Sequence, residues 1–219
     1  MTTAIGVSRL SKSFDGAADV LEKVDLTATG GTVTLIVGGP GSGRSTLVRC
    51  LTGVYRPDAG DVTLRLGSRG AASLTAADPR TVAWLRSQHI ASFDGALAAA
   101  PRLPAAIAVA RAARRSRSSA VAGLARLGVA ELAPVAIGRL RAVDRLTVAL
   151  AAALLAERPF VVLDEPERYA DSRALTTWLR RATEAGAAVV VTGAPDSSLT
   201  SIASATGELR RGKVAWHKP

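Results

Sequence analysis

A chain of 219 residues that is 48% hydrophobic can bury a substantial core and fits one domain, or one domain with a lobe inserted in it. Its single cysteine excludes an internal disulfide, and its net charge of +10 suits anionic partners without selecting one, because arginine is spread along an alanine-rich sequence. The most apolar run, Leu146 to Ala156, is too short to span a bilayer and is closed by Glu157 and Arg158; the first residues lack the apolar core of a secretory signal, so a soluble cytosolic chain is expected.

In chain order, short β-branched runs predict strands at 4–10, 24–29, 33–37 and 61–66, with turns at 15–16, 30–31 and 57–60. The run 33–37 is apolar at nearly every position, which suits a strand covered on both faces. It leads into a glycine-rich loop that opens a helix over 45–52, with Leu47 and Leu51 on one face and Gly53 as its stop. From about 95 to 133 alanine, leucine and arginine take helical spacing, interrupted by prolines at 101–104. A helix around 146–156 then precedes a buried strand at 160–164. A further helix near 172–185, a strand at 187–192 and a hairpin about Arg211 and Gly212 close the chain. The densest basic run, with Arg111, Arg114, Arg115 and Arg117, reads as a solvated helix face entering a turn. It holds no aromatic residue, so it offers no stacking platform for single-stranded nucleic acid.

Two segments carry chemistry. In "IVGGPGSGRST", residues 36–46, Gly38, Gly39, Pro40, Gly41, Ser42 and Gly43 form a loop whose backbone N–H groups can turn inward onto phosphate oxygens. Arg44 takes the cationic position, and Ser45 and Thr46 begin the helix whose N-terminus adds partial positive charge. A hydroxyl directly after the cation, here Ser45, can reach a magnesium ion on the terminal phosphates. The second segment, "FVVLDEP", ends an apolar strand in Asp164, placed to hold magnesium through a water, and Glu165, placed to orient or deprotonate an attacking water.

With these motifs the chain resembles the nucleotide-binding subunit of the ATP-binding cassette (ABC) family over nearly its whole length. Phe14 stands where that family keeps an aromatic to stack on adenine. "GGPGSGRSTLVRCLTGVYRPDAGDV" follows its phosphate loop, helix and return strand, and "FVVLDEPERYAD" follows its acid strand through to a D-loop ending at Asp171. The resemblance implies an α/β P-loop fold with a mostly parallel central sheet and an antiparallel β portion. It places the core and β portion at about 1–94 and 146–219, with an inserted helical lobe at about 95–145. It also implies ATP and Mg2+ as cofactors, a membrane-spanning permease and a second nucleotide-binding subunit as partners, and a cytoplasmic location at the inner face of the membrane. Nucleic acid is not expected as a partner.

The departures from the family pattern are specific. Arg44 replaces lysine, and a planar fork does not substitute freely for a compact ammonium in a tight nest. The coupling glutamine falls at Asp94 or Gly95, while Gln88 precedes that strand. The signature LSGGQ is matched by "LRAVD", Leu140 to Asp144, and the switch histidine by Gly193; His89 and His217 are far from that register. If each lost donor costs on the order of 10²-fold in rate, unaided turnover becomes negligible while binding suffers less. The expectation is an ATP-binding transporter subunit with weak or absent hydrolysis, acting as the degenerate half of a dimer. The alternatives are a soluble regulatory or nucleic-acid-associated ABC protein and a scaffold that binds no nucleotide. The whole interpretation depends on the backbone amides of residues 38–46 lying beside the carboxylates that end strand 160–164, and on the Arg44 guanidinium not plugging that cradle against a nucleoside.

Overall fold

The computed structural model describes residues 2–14 and 19–217; the turn expected at 15–16 lies outside them. Strands β1 (Thr3–Lys12), β2 (Leu21–Thr29), β4 (Ala59–Leu66) and β5 (Ala71–Ser73) form an antiparallel sheet in the order β2-β1-β4-β5. The second sheet takes β3 (Val33–Val37), β6 (Ile90–Phe93), β7 (Phe160–Leu163), β8 (Ala188–Gly193), β9 (Ala205–Arg210) and β10 (Lys213–Trp216). Its order is β10-β9-β3-β8-β7-β6, with every pairing parallel except the closing β9-β10 hairpin.

The central strands are apolar at consecutive positions because both faces are covered. Leu35, Val37, Val161, Leu163, Val189 and Val191 point into one core, shared with the helical lobe. Ile36, Phe160, Val162, Ala188 and Val190 point into the other, shared with the antiparallel sheet and with α1 (Arg44–Leu51). The alternation is the period of two that a pleated strand imposes.

Helices α3 (Ala105–Ala113), α4 (Arg117–Arg126) and α5 (Ala142–Leu155) pack on one another, and α6 (Ser172–Glu184) buries Leu175, Trp178 and Leu179. The expected helix at 146–156 begins four residues earlier. Arg141 and Asp144 pair across its first turn, where a carboxylate is favoured by the helix N-terminus. Helix α2 (Pro79–His89) was not expected from periodicity, because it buries only Leu85. Its start was nonetheless written: Asp78 accepts from the backbone N–H groups of Arg80 and Thr81, and Pro79 sits at the first helical position. The basic run forms the turn between α3 and α4. Arg114 there adopts a left-handed conformation with φ 56° and donates to Gln88 Oε1 at 2.8 Å, and Arg115 pairs with Glu157.

Candidate functional site

The loop after β3 and the acids after β7 both lie at the carboxyl edge of the parallel sheet, the edge where open α/β sheets bind ligands. Strand β8 runs between β3 and β7, so the residue ending β8, Gly193, stands between the two motifs.

Within the loop, Gly38 N–H donates to the carbonyl of Gly193 at 3.2 Å, tying the loop to β8. Gly43 precedes α1 with φ 102°, and a Cβ there would lie 2.8 Å from the carbonyl oxygen of Val20, so geometry and space both demand glycine. A Cβ on Gly38 would meet Ser42 Oγ at 2.6 Å. That Ser42 hydroxyl is buried with no hydrogen-bond partner in the protein. An orphaned buried hydroxyl inside a glycine cradle fits a loop shaped for an oxyanion, since such a group costs free energy until an acceptor or donor reaches it. Ser45 is exposed and Thr46 half-buried at the mouth of the helix, while Gly39 and Gly41 have open space about their α-carbons.

At the end of β7, Asp164 N–H donates to the carbonyl of Phe93 at 2.8 Å, and Asp164 Oδ1 accepts from Thr192 Oγ1 at 2.6 Å. The same Thr192 hydroxyl oxygen accepts from the backbone N–H of Glu165 at 3.0 Å. Glu165 itself is held in the left-handed region at φ 44°, a conformation that costs a residue with a Cβ on the order of 1–2 kcal/mol. Its carboxylate is claimed from two sides. Arg44 Nη2 lies 2.6 Å from Oε1, with side-chain exposures of 9% and 23%, and Arg168 Nη1 lies 3.0 Å from Oε2. The other Arg44 nitrogen, Nη1, donates to the carbonyl of Gly193. The loop and the acids are therefore adjacent, as the sequence requires, and the guanidinium spans the gap between them.

The register positions that depart from the expected pattern are equally well defined. Gly193 has no room for a side chain: a Cβ would come within 2.9 Å of both Cβ and Oγ of Ser197. Ser197 is fixed there because its hydroxyl donates to Glu167, which also accepts from the backbone and hydroxyl of Ser198, at 3.1 and 2.6 Å. At the start of α5, Arg141 and Asp144 close a bidentate pair at 2.7 and 3.0 Å, and the Arg141 guanidinium holds the Asp144 carboxyl below the usual carboxylate value. A carboxylate thus sits where the helix N-terminus is otherwise free to receive an anion. Asp94 and Gly95 directly follow β6, and Gln88 is engaged on α2 by Arg114.

Phe14 lies outside this group, exposed, with its ring edge-on to Tyr55 at 5.4 Å between centroids and Lys12 Nζ 5.3 Å from its centroid. Tyr55 and Lys12 were missed by sequence reasoning; the aromatic at Tyr55 shortly after α1 was the available signal. Arg168 and Thr192, which orient the two acids, were also missed, since nothing in the linear sequence marks them as neighbours of Glu165 and Asp164.

The family model for ABC transporters matches residues 21–168. Among similar proteins, the aliphatic sulfonates import ATP-binding protein SsuB 1 of Nocardia farcinica is 34% identical over 166 residues, covering 74% of this chain and 58% of that protein. The Fe(3+) ions import ATP-binding protein FbpC 3 of Rhodococcus jostii is 34% identical over 170 residues, covering 76% of this chain and 46% of that protein. The ribose import ATP-binding protein RbsA 1 of Rhizobium meliloti is 51% identical over 67 residues, 31% of this chain and 13% of that protein. The chain thus spans only part, at most 58%, of the length of these relatives. Of the solved structures, the dimeric bacterial ABC transporter cassette MJ0796 has the same fold, with TM-score 0.83, 21% identity and 98% of both chains covered. The family match extends from β2 through the glycine loop to the acids at the end of β7, and the sheet order sets those segments side by side: the chain belongs to the ABC transporter family.

Proposed function

We propose that this chain is the ATP-binding subunit of an ABC transporter or a transporter-like membrane complex, and that it binds Mg-ATP with weak or absent hydrolysis of its own. One observation carries the reading. The phosphate cradle keeps its glycines and an unpartnered buried hydroxyl at Ser42, while Gly193 stands where the resemblance implies a switch histidine and Leu140 to Asp144 where it implies the signature. Gly38 to Thr46 would hold the phosphates, Ser45 and Asp164 the magnesium, and Phe14 the adenine face. Bound magnesium supplies charge neutralisation for the phosphates. The 2.6 Å hydrogen bond from Thr192 Oγ1 to Asp164 Oδ1 would steady that carboxylate in the role. Glu165 is the residue placed to orient an attacking water.

Residues 1–219 act in this reading as one cassette, with the helical lobe at about 95–145. A second cassette carrying an intact signature would complete this chain's site, while Asp144 leaves a carboxylate at the corresponding helix start of this chain. Docking on a permease places the subunit at the inner face of the membrane. No helix among the described residues is long and apolar enough to cross a membrane, which suits attachment through another subunit. The import functions printed in the names of the relatives favour an importer.

Hydrolysis by the purified chain, alone and with candidate partner cassettes, tests this. Turnover that is negligible alone and rises with a partner is expected, and brisk turnover by the chain alone contradicts it. Arg44→Lys is not expected to bring fast turnover, since Gly193 and Leu140 to Asp144 remain; a large rate gain from that change would count against the reading. A scaffold that binds no nucleotide is the second reading, favoured by the ion pair of Arg44 with Glu165 across the crevice. Titration calorimetry with Mg-ATP separates the two.

A further inference from the structure

We propose that Arg44 is a latch on the nucleotide site: without nucleotide its guanidinium bolts the phosphate loop to Glu165 and Gly193, and a polyphosphate opens the site by drawing it away. The inference rests on the nucleotide-binding reading above and adds how that binding is gated.

The geometry follows from strand order. Arg44 is the first residue of α1, directly after the loop that ends β3, and Glu165 follows β7, with β8 between them. Neighbouring strands are about 5 Å apart, so a side chain linking these ends must cross the end of β8. A compact ammonium has one donor centre to place along that path. The guanidinium has a fork, and both arms are used: Nη1 donates to the Gly193 carbonyl on the way, and Nη2 reaches Glu165 Oε1 at 2.6 Å. Gly193 makes the crossing possible. It presents its carbonyl to the guanidinium and to Gly38 N–H, and it carries no side chain on a strand end that Ser197 crowds.

The latch has two effects. Arg44 is buried, so its charge is expensive to release into the crevice without a replacement anion. Phosphate oxygens in the loop supply that anion, whereas a ligand without them does not. Glu165 meanwhile is held by Arg44 on one oxygen and by Arg168 on the other, so while the latch is shut its carboxylate is committed to the two guanidinium groups. When Arg44 leaves, Arg168 still holds Oε2 and keeps the carboxylate from following the guanidinium toward the phosphates. A site closed about nine-tenths of the time weakens apparent nucleotide affinity about tenfold.

The test compares wild type, Glu165→Gln and Glu165→Asp for binding of magnesium with the non-hydrolysable analogue AMP-PNP, by calorimetry on residues 1–219. Glu165→Gln removes the ion pair of the latch, leaving at most a neutral hydrogen bond, and also removes a negative charge near the phosphates. Glu165→Asp keeps the charge but draws the carboxylate back from Arg44 by one methylene, so it separates weakening of the latch from relief of repulsion. Both variants are expected to tighten Kd about tenfold, and a thermal melt confirms that each is folded. If only Glu165→Gln binds more tightly, repulsion explains the effect and the latch is overturned. If all three bind equally, the latch is overturned while the nucleotide-binding reading stands. If none binds, that reading fails and the latch with it.

Discussion

At the scale of single residues, Gly193 is locked in place by its neighbours. A histidine there would have to displace Ser197, whose Cβ and Oγ would both lie 2.9 Å from the new Cβ and whose hydroxyl is tied to Glu167. Gly193→His is therefore expected to lower stability by about 1–3 kcal/mol, the usual cost of overpacking, and to give no gain in hydrolysis. Thermal unfolding of the single variant and of Gly193→His with Ser197→Gly checks this. The double variant should recover much of the loss, and an unaltered melting temperature for the single variant would show that the crowding does not exist. Phe14, Ser45 and the two acids were legible as motif positions. The guanidinium bridge was not, because the sequence places Arg44 far from Glu165 and only the interposed β8 brings Gly193 to both.

At the scale of elements, caps and turns decide where helices and strands end. Asp171, which closes the acid-strand motif, serves α6 as its N-cap, accepting from Arg173 N–H at 2.8 Å and Ala174 N–H at 3.3 Å. Asp171→Ala should cost about 1 kcal/mol, read as a drop in urea midpoint with an unchanged slope. In the antiparallel sheet, burial opposes ionisation of Asp61, but hydrogen bonds led by those from the Ser73 and Thr63 hydroxyls outweigh it and hold its carboxyl below the usual value. A depressed carboxyl contributes stability that is present above its unfolded value, about 3.9, and is lost as pH falls through the lower folded value. Asp61→Asn should accordingly lower stability near neutrality and flatten the loss of stability as pH falls below about 4. Equal acid slopes in the two proteins would remove Asp61 from the account. The strands at 33–37, 160–163 and 188–193 could be read from the sequence because they are covered on both faces. Helix α2 could not be read from periodicity, since a helix that buries one leucine and exposes Trp84 writes almost none.

At the scale of the molecule, the two cores meet across the central sheet, and Cys50 reports on one of them. Burial pushes its thiol up to about 12, with Lys12 opposing and Asp58 adding to the rise, so the native thiol stays protonated and inert. Because Cys50 is the only cysteine, labelling by an aromatic disulfide at pH 8 should be negligible in the native protein. Its urea dependence should follow that of the circular-dichroism transition. Rapid labelling in the absence of denaturant would mean that the core around α1 opens independently of the rest.

The sequence by itself determined the α/β class, the position of the phosphate loop, the acids that close β7 and the family to which these belong. Each of these is a local pattern of glycine, apolar and acidic residues whose meaning survives along the chain. Only the tertiary structure decided what Arg44, Gly193 and Glu165 touch. Whether Arg44 points into the loop or across it, whether Gly193 leaves a gap or a filled space, and whether Glu165 is free or held all depend on strand order. The parallel sheet sets three chain-distant strand ends side by side, and the charges and carbonyls found there then select one another by distance.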